Sequence, residues 1–384
     1  MISRKTIFAE KSFSSQSVDT GFVVSVILLL GLGLVTLYAS SVSYATRAFD
    51  DSLYFVRRQL ICTGIGLLLM IISSIIDLNF VRKLLPIIFV GTIVLCVMTF
   101  LPFIGVERNG ARRWIKLPIL GTFQPSEVAK FTIVLFLSNF FAKKHDILKE
   151  SGFNIAQAVV GLFFTVLLVF LQDDFSTAFF IMLVGLSLFF IAGIKLGWFL
   201  GFCAFSFPIV ILFIFTESYR VKRLIAFFNP EQYSHGVNYQ INASQRAISS
   251  GGFWGEGLGS GLKQVTGIPE AQADFIFAGW TEAMGFLGVI FFFILIIFFA
   301  WRGYKIAFSC QDLFRSYTAF GLVTCILLQT LLNCGVVCGA LPATGIPLPF
   351  FSSGGSSLIV TLLMCGVIIN ISKFDNNCVE LYNE

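Results

Sequence analysis

Charge and histidine are scarce in this sequence of 384 residues, and each scarcity excludes a class of function. Asp, Glu, Lys and Arg together make up 12% of it, about half the share typical of soluble domains, so a large water-facing enzymatic domain is excluded. There are two histidines, His145 and His235. A histidine-based triad or a three-histidine zinc site cannot be assembled from them, and acid–base chemistry must rest on carboxylates. The net charge of +5 is small, and no basic array of the kind that binds nucleic acid is present. The nine cysteines fall in apolar segments or, at Cys310 and Cys378, on what the charge pattern makes the cytoplasmic side, so no external disulfide is expected. Internal repeats, heptads and low-complexity tracts are also missing.

What the sequence has instead is apolar length. Hydrophobic residues make up 57%, and the mean hydropathy is +0.88. Apolar runs lie near residues 21–43, 59–77, 84–103, 124–142, 154–172, 175–194, 197–216, 275–300, 313–337 and 354–372. Each is long enough to cross a hydrocarbon core, which takes roughly 20 residues. The first run is longer than a signal-peptide core and is followed by more spans, so it reads as a retained signal anchor. The expected fold is an all-α polytopic membrane protein, a single membrane domain over 1–384 with about ten transmembrane helices. Arg4, Lys5 and Lys11, Arg82 and Lys83, Lys143, Lys144 and Lys149, Lys195, Arg302, Lys305 and Arg315, and Lys373 fall on one side. By the positive-inside rule that side, with both termini, is cytoplasmic, although Arg47, Arg57 and Arg58 weaken the asymmetry.

Two outer segments are long and also basic: 104–123, and the large loop 217–274 between helices 7 and 8. Loops of such length are usually functional or disordered. In the second, Gly251, Gly252, Gly255, Gly257, Gly259 and Gly261 are interleaved with Phe253 and Trp254, which suits tight turns near a membrane surface. Charged groups at a membrane edge are costly and tend to mark sites. The outer set comprises Arg108, Arg112, Arg113 and Lys116; Glu127 and Lys130; Asp173 and Asp174; Arg220, Lys222 and Arg223; and Asp274 with Glu282.

The guanidinium groups suit a diphosphate, because each offers a planar fork that stays protonated; contact with anionic headgroups fits equally well. In Gln124 to Lys130, Pro125 suits a first helical turn, and Glu127 and Lys130 are spaced to face one another. They either close the helix start as an ion pair or line a polar cavity. Asp274 precedes the run Phe275-Ile276-Phe277, where an N-cap is expected. Capping would make it a weak base, and desolvation a better one. Glu282 is eight residues on, roughly 12 Å along a helix, too far to share a proton with Asp274; a hydrogen-bonded group buried between helices is its ordinary role. The stretch Pro342 to Ser357, with three prolines and three glycines, cannot be a regular helix and must be packed in protein or wet at the surface.

Gly110 to Ile115, Phe123 to Lys130, Tyr219 to Arg223, Ser250 to Gly259, Pro269 to Ala278 and Pro342 to Ser357 together resemble the shape, elongation, division and sporulation family. The resemblance runs from about residue 25 to 373, with the motifs in family order. It implies a ten-helix peptidoglycan glycosyltransferase that polymerises lipid II outside the cytoplasmic membrane. The implied partners are a class B penicillin-binding protein transpeptidase and other divisome or elongasome membrane proteins. By resemblance, Asp274 is the essential carboxylate; Arg113, Glu127 and Lys130 line the substrate cavity, Arg220 and Arg223 lie beside it, and Glu282 joins the substrate-binding set. A divalent cation, Mg or Mn, could assist, without a dedicated cage and without an organic cofactor. The sequence departs from the family pattern at Gln272 and Ala273, at Asp173 through Ser176, at Ala283, at Lys263-Gln264 and at Ser353. Overall appearance leans to the cell-division branch, while a lipid II flippase and a non-catalytic scaffold are the competing classes.

Overall fold

The computed structural model describes residues 18–108, 110–117, 121–148, 155–229, 238–258 and 265–373. Arg4, Lys5, Lys11, Lys149, His235, Gly259, Gly261, Lys263, Gln264 and Cys378 lie outside the described residues. Twelve helices occur among the described residues: α1 (Thr20–Phe49), α2 (Tyr54–Ile75), α3 (Leu78–Met98), α4 (Pro125–Leu148), α5 (Ala156–Leu171), α6 (Phe175–Ile191), α7 (Leu196–Phe215), α8 (Ser218–Phe228), α9 (Tyr239–Gly251), α10 (Ile276–Ser309), α11 (Leu313–Val337) and α12 (Gly355–Ser372). A helix lies over every apolar run. Seven of them, α1, α2, α3, α7, α10, α11 and α12, are long and apolar enough to cross a membrane, and the protein is a multi-pass membrane protein. Helices α5 and α6 are apolar but have 16 and 17 residues. Helix α4 carries Glu127, Lys130, Lys143 and Lys144 in its 24 residues.

Aspartates begin several helices because their carboxylates accept the amide N–H groups that a first turn leaves unpaired. Asp19 accepts from Phe22 N, Asp77 from Asn79 N, Asp174 from Thr177 N and Asp312 from Phe314 N. Asp19 also receives a two-pronged contact from Arg302, with Nε at 2.9 Å and Nη2 at 2.6 Å, which ties the start of α1 to α10. At the centre stand α11 and α12, and nearly every residue of α12 is buried. Helix α2 packs closely on α12 because Gly66 and Gly366 present no side chain: a methyl group on either would collide with Leu362 or with the Met70 backbone. Lipid does not drive helices together as water does, so close approach at small residues carries much of such packing.

Two features depart from the all-helical expectation. Residues 104–123 hold a three-stranded antiparallel sheet, β1 (Gly105–Arg108), β2 (Ala111–Leu117) and β3 (Gly121–Phe123). Ala111 and Ile115 of β2 are buried while Arg112 and Lys116 are exposed, the alternation a strand imposes. Helix α10 is the second departure, because the expected uninterrupted span is broken at Gly285 (φ 62°, ψ −162°).

The break exposes backbone groups that hydrocarbon cannot satisfy, and the glycine-rich segment after α9 supplies their partners. Glu256 N donates to Glu282 O at 2.9 Å, Gly257 N to Ala283 O at 2.9 Å, and Phe286 N to Gly252 O at 3.0 Å. The outer piece of α10, Ile276 to Ala283, is buried throughout. A methyl group on Gly285 would collide with the Gly255 amide, and a positive φ adds about 1–2 kcal/mol for any residue with a Cβ. Gly285→Ala is therefore expected to lower the melting temperature of the detergent-purified protein by several degrees, and unchanged melting would contradict the pairing.

Candidate active site

A cavity of about 1190 Å³ opens at the end of the bundle that holds the sheet. Its wall combines the ends of α1 and α2, strand β2, the α5–α6 junction, α8, the turn before α10 and the segment 342–357. Four cationic groups reach it, Arg58, Arg113, Arg220 and Arg223, and so do the carboxylates of Asp173, Glu217, Glu270 and Asp274. Charged residues from five separate stretches of sequence thus meet around one polar space.

Each cation of the expected set is aimed by specific partners. Arg113 is held on β2, where Nη2 donates to the Asp173 carbonyl and Nη1 lies 3.5 Å from Asp174 Oδ1. Asp174 is fixed in turn by Gln124 Nε2 at 2.8 Å and by its capping bond to α6. Arg220, on α8, lies 3.6 Å from Asp173 Oδ1 and stacks over Phe170 and Phe175. Arg223, one turn further, donates to Ala343 O at 2.8 Å and covers the Tyr219 ring. Three and four residues are the spacings that put side chains on one helix face, so Arg220 and Arg223 reach the cavity together.

Asp274 lines the same cavity, half-buried between α10 and the segment 342–357. It does not cap α10: the N-cap position is Phe275, and no side chain makes a capping bond there. Burial pushes its carboxyl up to about 6 and the neighbouring charges of Glu270 and Asp174 add to the rise, while Arg223 and Arg113 oppose it. A carboxylate poised near neutral pH is a better proton acceptor than one held in a cap. The environment that costs this group its charge also makes it useful as a base.

Three expected site residues stand elsewhere. Glu127 and Lys130 are each 3% exposed, pair at 2.7 Å and do not line the cavity. The spacing argument for the pair holds, but α4 turns it into the bundle, where Lys130 Nζ donates to Gln329 Oε1 at 2.8 Å. Glu282 is fully buried on the outer piece of α10, where its Oε2 accepts the Val265 amide at 2.9 Å. The break at Gly285 turns that piece inward, so Glu282 anchors the loop before α10 and does not face the cavity.

Other residues were not singled out in the sequence. Arg58 lines the cavity, although from the sequence it counts only as a charge near span 2. Gln59 Nε2 donates to Ser352 O at 2.9 Å, and Gln329 Nε2 to Pro347 O at 2.9 Å. The available signal was polarity inside apolar runs: Gln59, Gln329 and Asn333 are amides where hydrocarbon favours none.

Comparisons with known proteins give the family and the fold. A family model described as "Cell cycle protein", grouping FtsW, RodA and SpoVE, matches residues 20–377. The "Probable peptidoglycan glycosyltransferase FtsW" of Geobacter sp. is 35% identical over 92% of this chain and 96% of its own length. "Stage V sporulation protein E" of Bacillus subtilis is 34% identical over 93% and 98%. Among solved structures, one described as "Structural coordination of polymerization and crosslinking by a peptidoglycan synthase complex" aligns with a TM-score of 0.75 at 25% identity, over 94% of this chain and 99% of that one. Rod shape determining protein RodA of Thermus thermophilus aligns with a TM-score of 0.68 at 23% identity, over 94% and 98%, and shares the fold.

The raised carboxyl of Asp274 has a stability consequence. Between its ordinary value of 3.8 and about 6 the folded protein holds a proton that the unfolded chain releases, so stability is lost as pH rises through that window. Asp274→Asn is expected to melt at a higher temperature than the native protein at pH 8, with the gap closing near pH 4. A variant that melts lower at pH 8 would contradict the burial argument.

Proposed function

The chain belongs to the FtsW/RodA/SpoVE family of cell cycle proteins, and we propose that it is a peptidoglycan glycosyltransferase that polymerises lipid II at the outer face of the bacterial cytoplasmic membrane. The observation that carries this reading is the meeting of Asp274 with Arg113, Arg220 and Arg223 around one large cavity. In this reading all ten apolar helices span, both termini are cytoplasmic, and the cavity opens to the outer leaflet. The name of the Geobacter relative supports the activity.

The reaction joins the C4 hydroxyl of an incoming lipid-linked disaccharide to the anomeric carbon of the growing chain. As the hydroxyl oxygen bonds to that carbon, its proton passes to the Asp274 carboxylate. The bond from the anomeric carbon to the diphosphate breaks, and undecaprenyl diphosphate leaves with the electron pair. Direct displacement inverts the anomeric centre. Arg113, Arg220 and Arg223 offset the charge that develops on the departing diphosphate, which fixed cations in a partly dehydrated site do well.

Among the described residues no three His, Cys, Asp or Glu side chains gather as a metal cage. A divalent cation of the Mg type binds through few carboxylates together with substrate phosphate oxygens, and beside the base Asp274 the cavity acids that would meet it are Glu270, Asp173 and Glu217. Its chemistry would be charge neutralisation on the diphosphate.

The complex named for polymerization and crosslinking among the solved relatives supports a crosslinking partner, which we take to be a class B penicillin-binding protein transpeptidase. Cell-division machinery is the favoured setting, because the relatives named FtsW are among the matches.

Purified protein, supplied with a transpeptidase partner, lipid II and Mg, should build glycan ladders on a gel. Asp274→Asn should abolish them, and the native rate should fall as pH drops through about 6. Ladders from the variant at near-native rate would sink the base assignment. Labelled lipid II crossing vesicle membranes without polymer would instead favour a flippase, and binding with neither outcome a scaffold.

A further inference from the structure

Asp274 sits on backbone that is neither helix nor strand, between the turn at 270–273 and α10. Such backbone has no ladder to hold it in place, so side chains must do so. Asn333 of α11 is the principal one. It is 2% exposed, and its Nδ2 donates at 2.8 Å to both the Asp274 carbonyl and the Ile346 carbonyl. One amide group thus pins the residue that carries the carboxylate to the segment that overhangs it. The overhang is close, because a methyl group on Gly345 would come within 3.3 Å of Asp274 Oδ2.

Two further observations single Asn333 out. Both acceptors are carbonyls, so the amide can sit only with its nitrogen toward them, and its Oδ1 is left buried with no partner among the described residues. A buried unpaired oxygen is a cost that an apolar side chain would avoid, and a residue that serves only packing gains nothing from it. Asn333 is also not alone: Ser352 Oγ donates to the Ala273 carbonyl while accepting from Leu348 N at 2.7 Å, and Ser353 N donates to Gln272 O at 2.9 Å. One turn along α11, Gln329 holds Pro347 and receives Lys130, itself paired with Glu127. The segment 342–357 is therefore a splint clamped from α11 on one side and bonded to Gln272 and Ala273 on the other.

Resting on the glycosyltransferase reading, we infer that Asn333 is a positioning residue for Asp274. It sets the place of the carboxylate through the Asp274 carbonyl without touching substrate. The buried Glu127–Lys130 pair acts at one remove, through Gln329 and the splint, which gives these residues a part in the site although neither reaches the cavity.

Asn333→Leu removes both donors while keeping the same branching and number of side-chain heavy atoms, Asn333→Asp keeps the shape and replaces the donor by an acceptor, and Ser352→Ala releases the Ala273 carbonyl independently. The test measures two things on the purified full chain. One is the rate at which dicyclohexylcarbodiimide modifies the Asp274 carboxyl, followed by peptide mass spectrometry; the other is kcat and KM for lipid II polymerisation with the transpeptidase partner. The expected result is faster labelling of Asp274 in all three variants. With it, kcat should fall ~10–100-fold and KM should stay within ~2-fold, since displacement by about 1 Å is costly to a reacting group while ground-state binding is untouched. Native labelling and native kcat in folded variants would overturn the inference, as would a loss confined to KM. If Asn333→Leu fails to fold, the other two variants decide. If the native chain makes no polymer, the glycosyltransferase reading fails by itself, and labelling alone decides whether Asn333 positions Asp274.

Discussion

A peptide group in hydrocarbon must find its hydrogen bond within the protein, and the site exists because this chain meets that demand where its backbone is irregular. One irregular stretch, 342–354, lines the cavity, and another lies at the break in α10. At Gly285 the break in α10 is closed by amides and carbonyls of residues 252–257. Along 342–354, where prolines and glycines forbid a helix, the carbonyls are taken up by Asn333, Gln329 and Arg223. Irregular backbone bonded in this way becomes as fixed as a helix, and it can aim a carboxylate where a helix could not. The outer piece of α10, turned inward by the break, leaves Asp274 at its entrance.

The cavity wall balances charge without cancelling it. Arg113 and Arg220 are held by carbonyls, by aromatic faces and by two carboxylates, the buried Asp174 beside Arg113 and the exposed Asp173 beside Arg220, so their orientation is set. Asp173 holds a φ of 60°, a left-handed backbone that few residues other than glycine adopt, and its carbonyl accepts from Arg113. At Asp274, in contrast, burial first and then the charge of Glu270 push the carboxyl up to about 6, against the pull of Arg223 and Arg113.

Several local features were readable in order along the chain. Pro125 begins α4, and Glu127 and Lys130 meet across one turn. Arg220 and Arg223 share a face of α8 because three residues nearly complete a turn. Other features escaped local reading. Asp274 looked like a cap because Asp before an apolar run usually is one, but the helix starts one residue later and the carboxylate is left to the cavity. The sheet at 105–123 was hidden in a short basic stretch whose alternation matters only once Ala111 and Ile115 have something to pack against.

The sequence by itself determined membrane residence, the places of the apolar helices and the chemical types available at the site, because hydrophobic length and residue chemistry are local properties. Only the tertiary structure decided which charges share a cavity and which are buried as ties. Glu127 with Lys130 and Glu282 resemble Arg113 and Asp274 in the sequence, all being charges at the edges of apolar runs. What separates them is the direction in which each helix turns its face after packing, and that is fixed by contacts between residues hundreds of positions apart.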